Sequence, residues 1–113
     1  MNFKEKIKPF SWVEYDTGFS LLLTVGEYKN EVFESRADEG FEGGGYDWQS
    51  LAQVFINEKM PALVGYVKFD SESSMFCAYS EDADYLKEFA LGFKSACEDS
   101  DLINDLFSRA ELD

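Results

Sequence analysis

Two apolar stretches, each doubled back on itself by a short turn and each followed by sequence of helical period, set the limits on what this chain can build. Residues 8–15 (KPFSWVEY) and 19–25 (FSLLLTV) read as strands joined across Asp16-Thr17-Gly18, where Asp and Gly supply turn chemistry. Residues 66–70 (YVKFD) and 75–79 (MFCAY) repeat the plan around Ser71-Glu72-Ser73-Ser74. The second of these strands is apolar on both faces, which places it inside a sheet rather than at its edge. Residues 28–35 (YKNEVFES) read as a third strand of the first group, carried by Tyr28, Val32 and Phe33, although their alternation is imperfect.

Three segments carry helical spacing. Trp48, Leu51, Ala52 and Phe55 recur on one face of residues 48–60, with Asp47 placed as N-cap and Pro61 as the stop. Ala83, Leu86, Phe89, Ala90, Phe93 and Cys97 do the same after a cap at Ser80 or Asp82. Leu102, Ile103, Leu106 and Phe107 follow the acidic start Glu98, Asp99 and Asp101, where carboxylates favour the positive end of a helix dipole. The order β-β-(β)-α-β-β-α-α alternates too little for a doubly wound parallel sheet. The expected fold is α+β: one domain over residues 1–113, an antiparallel sheet of four to five strands built from two hairpins, and about three helices.

Composition bears on function through charge. The chain holds 23 carboxylates against 10 Lys and Arg and no His, for a net charge of −13 on 113 residues. Residues 1–30 carry four basic and four acidic side chains, so the whole imbalance lies from Glu31 onward. With 45% hydrophobic and 17% aromatic residues, the acid decorates a core and is not the mark of a disordered tail. Such a field repels nucleic acid and anionic membranes and speeds association with basic proteins. No apolar run approaches the roughly 20 residues of a membrane span, and the N-terminus lacks a signal-peptide core, so a cytoplasmic protein is expected. Cys77 lies in a strand-like run and Cys97 on an apolar helix face; both read as reduced, buried thiols.

The absence of His removes Ser-His-Asp, Cys-His and His-metal arrangements. The remaining carboxylate pairs show no spacing that separates a tuned acid and base from a solvated face, so no enzyme activity and no cofactor are expected. The pairs Asp99/Asp101 and Asp82/Asp84 lack the spacing of a calcium loop. Residues 36–45 (RADEGFEGGG) form a Gly-rich loop, but the run to Trp48 matches neither phosphate-binding pattern, and Glu39, Glu42 and Asp47 oppose an anion. That loop combines carboxylates with aromatics, the mixture found at protein hot spots. Glu39, Phe41, Glu42 and Tyr46 are therefore the expected partner-facing residues, with Asp47 and Trp48 holding the helix behind them. The acidic stretch from Glu81 onward is the second candidate surface.

The run FESRADEGFEGGGYDWQSLAQVFINEKMP, followed by FDSESSMFCAYS and the ending LINDLFSRAELD, resembles the immunity protein 51 family of bacterial polymorphic toxin systems. The resemblance implies a small cytosolic antidote that binds a cognate secreted toxin domain, and it implies no reaction. Toxins that attack nucleic acid are generally basic, so an acidic inhibitor could occupy the surface meant for a phosphate backbone. The charge fits equally well a second reading, an acidic nucleic-acid mimic that titrates a basic host protein.

Overall fold

The computed structural model describes residues 2–112. Its strands are β1 (Ser11–Tyr15), β2 (Gly18–Thr24), β3 (Lys68–Phe69) and β4 (Met75–Ser80). Its helices are α1 (Phe3–Lys6), α2 (Asn30–Glu34), α3 (Gly45–Lys59), α4 (Ala83–Glu98) and α5 (Ser100–Phe107), with 3-10 turns at Ala37–Glu39 and Pro61–Leu63. The four strands form one sheet in the order β1-β2-β4-β3, and every neighbouring pair is antiparallel. The α+β architecture and both hairpins follow the sequence pattern. The two-residue connection Asp16-Thr17 closes the first hairpin, with Tyr15 opposite Gly18.

The expected third strand is a helix. Within residues 28–35, Val32 and Phe33 are adjacent, and period-two placement would send them to opposite faces of a sheet. In α2 both are buried on one side, where the Phe33 ring lies 5.1 Å from Trp48 and 5.0 Å from Phe107. The place beside β2 is taken by β4, in register from Phe19 opposite Ser80 to Thr24 opposite Met75. The short helix α1 was not expected either. Asn2 caps it by accepting from the Glu5 N–H at 2.9 Å, an Asn-x-x-Glu start that is a readable signal.

The sheet has two unlike faces. Trp12, Leu21, Leu23, Phe69, Phe76 and Ala78 share the inner one by register. Phe76 meets Trp48 of α3 and Phe93 of α4 there, while Phe69 meets Phe89 of α4, so both long helices lie on that side. The outer face carries Val13, Leu22, Met75 and Cys77, half-buried, and Tyr15 and Tyr79, exposed. Asp82 caps α4 by accepting from Asp84 and Tyr85, and Asp99 ends α4 and caps α5 by accepting from Leu102. Such caps satisfy the free N–H groups of each first turn. α5 then folds back so that Ile103, Leu106 and Phe107 are buried.

Candidate functional site

The Gly-rich segment and the start of α3 are organised by close backbone approach. Gly45 N–H donates to the Ser73 carbonyl at 3.0 Å, and a Cβ at Gly45 would collide with the carbonyl oxygens of Glu72 and Met75. Only glycine allows the helix to begin so close to the turn before β4. The helix therefore starts at Gly45, three residues earlier than the apolar period indicates, and its N-cap is Gly44. Asp47 is not the N-cap: it lies inside the first turn, and its carboxylate reaches back to accept from the N–H groups of Glu42 at 2.8 Å and Gly43 at 2.9 Å. It ties loop to helix from within, where a carboxylate also favours the helix dipole.

Trp48 is the centre of the aromatic core, 1% exposed. Its ring lies within 6.4 Å of the rings of Phe10, Tyr28, Phe33, Phe76 and Phe93, joining the two helices, the sheet and the N-terminal segment. The indole N–H finds no hydrogen-bond partner among the described residues, a desolvation cost that the surrounding aromatic contacts offset.

Phe41 is not a surface aromatic. It is 3% exposed and packs edge-to-face on Phe107 at 4.9 Å. The Arg36 guanidinium covers both rings, 4.5 Å from Phe41 and 5.1 Å from Phe107. The same guanidinium donates to the carbonyls of Phe107 and Ala110 at the end of α5 and holds both carboxylate oxygens of Glu39 at 2.8 Å. Glu39 is therefore neutralised within the fold, and the bidentate contact keeps its carboxyl below the usual range. Of the four residues expected to face a partner, Glu42 and Tyr46 are exposed, Tyr46 by 48%; Glu39 is exposed but paired, and Phe41 is inside.

The acidic C-terminal part is likewise partly self-compensated. Arg109 holds Glu58 at 2.7 Å and Asp105 at 2.9 Å, which lowers the pKa of both carboxyls. Glu98 accepts from the Tyr28 hydroxyl at 2.5 Å and pairs with Lys94 at 3.2 Å. The remaining carboxylates among the described residues of this part, Glu81, Asp84, Glu88 and Asp101 among them, stay exposed. Both cysteines are free thiols. Cys97 is fully buried and its pKa is pushed up to about 12; the half-buried Cys77 is raised in the same direction by burial. Among the described residues, no group of three or more Cys, Asp and Glu is placed to hold a metal ion, and no helix is long and apolar enough to cross a membrane.

The chain is thus a small acidic α+β domain with an aromatic core, exposed carboxylates and several exposed tyrosines. The model of the family described as Immunity protein 51 matches residues 10–112, and the chain belongs to that family. No curated protein and no solved structure matches the chain. Membership gives an immunity protein's role and implies a toxin protein as partner.

Proposed function

We propose that this protein acts in the cytoplasm as a non-catalytic antidote, the whole chain working as one unit that binds and neutralises a basic, nucleic-acid-targeting toxin domain. The observation that carries the reading is the net charge of −13, all of it arising from Glu31 onward. A surface of that sign attracts the cationic groove a nuclease or nucleobase-modifying toxin uses for phosphates, and covering such a groove requires no chemistry from the antidote. Glu42 and Tyr46 remain exposed, and Glu42, with the outer edge of Glu39, adds to the acidic field that draws the toxin in. Family membership favours this over a mimic that titrates a host protein.

The test is stopped-flow association with the toxin domain encoded beside the gene. The on-rate falls steeply with added salt, because screening shortens from about 30 Å at 0.01 M to about 8 Å at 0.15 M. A rate indifferent to salt would remove the basic partner from the account, and binding to an acidic toxin would do the same.

A further inference from the structure

With Phe41 buried, the Gly-rich loop offers one exposed aromatic, whereas a larger group lies at the opposite end of β4. Tyr15 is 54% exposed, Tyr66 55% and Tyr79 39%. Register puts Tyr79 on the outer sheet face, opposite Ser20 on one side and Lys68 on the other. Around it are two adjoining hollows that share Tyr79, Ser80 and Glu81: one of about 460 Å³ reaching Tyr15 across the bare sheet, the other of about 280 Å³ bounded by Tyr66 and Tyr85. The Tyr66 and Tyr85 rings lie 4.6 Å apart, forming a firm wall.

Charge says what fits there. Asp70, Glu81 and Asp82 line the hollows against Lys68 alone, so an apolar, tyrosine-walled floor has a net acidic rim. Tyrosines supply large contact area at low entropy cost and are enriched at the centres of protein interfaces, with charges kept to the edge. The partner complementary to this surface is a protein that projects an apolar or aromatic side chain ringed by Lys and Arg.

We propose that this tyrosine-walled face, comprising Tyr15, Tyr66 and Tyr79 with Asp70 and Glu81 at its rim, is the docking centre for the basic toxin domain, the Gly-rich loop being peripheral. The assignment rests on the toxin-binding reading above and adds the place of contact. Basic side chains of the toxin meet Asp70 and Glu81, while one of its apolar side chains enters the hollow between Tyr15 and Tyr79.

Titration calorimetry with a catalytically inactivated copy of the neighbouring toxin domain tests it on the full chain, each variant being melted in parallel. Tyr66→Ala with Tyr79→Ala, and separately Glu81→Lys, weaken binding by about tenfold or more at unchanged melting temperature. Glu42→Lys with Tyr46→Ala in the loop changes affinity by about threefold or less. If the parent binds and both sheet-face variants match it, the docking centre is overturned while the antidote reading stands; if the parent does not bind, that reading fails and this one with it. Hydroxyl-radical footprinting of the unaltered complex avoids any effect of substitution on folding. Tyr15, Tyr66 and Tyr79 become protected and Tyr46 stays reactive; the opposite pattern overturns the assignment.

Discussion

Arg36 and Phe41 are stacked, with the guanidinium carbon 4.5 Å from the ring centroid. Read as sequence, Arg36 is the only cation in a run of carboxylates and Phe41 the only large apolar residue among glycines. In the fold, the two close one end of the core: Phe41 fills the gap beside Phe107, and Arg36 covers it while supplying donors to the carbonyls of Phe107, the last residue of α5, and of Ala110 beyond it. The planar fork is needed because it serves Glu39, two backbone carbonyls and two rings at once.

Arg36→Ala takes a donor from both carbonyls, Phe107's keeping only the Ala110 N–H, and uncovers Phe41, so the expected loss is about 1–3 kcal/mol by chemical denaturation. Arg36→Lys recovers little of it. Equal stability of the Lys variant and the parent would show that charge alone, and not the fork, is what α5 requires.

Glu39 and Glu42 look equivalent in sequence and should behave differently. Glu39→Lys sets an ammonium against Arg36 and lowers the melting temperature, whereas Glu42→Lys leaves it nearly unchanged because that side chain is exposed and contributes little to folding. Thermal melts of the two single variants decide it, and matching curves would contradict the pairing.

Asp47→Ala removes the acceptor for two backbone N–H groups and should cost about 1–3 kcal/mol. Trp48→Ala empties the middle of the aromatic cluster at about 3–5 kcal/mol. Gly45→Ala forces α3 away from the turn before β4 at about 3 kcal/mol, despite alanine's better helix propensity. A neutral Gly45→Ala in urea titration would mean that the helix start shifts freely.

Alkali tests the buried thiol. The pKa of Cys97 rises from 9.0 to about 12 on folding, so its neutral form is favoured in the native state and its contribution is complete below pH 9 and lost progressively as pH climbs towards 12. The Tyr28 hydroxyl, raised by burial and by its bond to Glu98, acts in the same direction from its ordinary value of 10.0. Stability measured from pH 8 to 11 should therefore fall, and less steeply in Cys97→Ala than in the parent. A thiol reagent should label half-buried Cys77 slowly and Cys97 only on unfolding.

Much of the architecture was legible because it is local. Turn residues, period-two runs and 3.6-residue spacing are set by neighbours a few positions apart, so both hairpins, the helices α3, α4 and α5, the cap at Asp82, and the apolar helix face that carries Trp48 follow from the chain itself. Charge was legible for the same reason, since it is a sum over residues. What tertiary structure decided was which surface remains. Phe41 went inside because Phe107, 66 residues later, is brought beside it by the return of α5; Glu39 lost its freedom to Arg36 once that side chain was held by α5; and residues 30–34 became helix because the second hairpin took the edge of β2. The exposure of Tyr15, Tyr66 and Tyr79 together has the same origin. They come from three separate segments, and no spacing along a chain can signal proximity that arises only when distant strands pair and both long helices choose one face of the sheet.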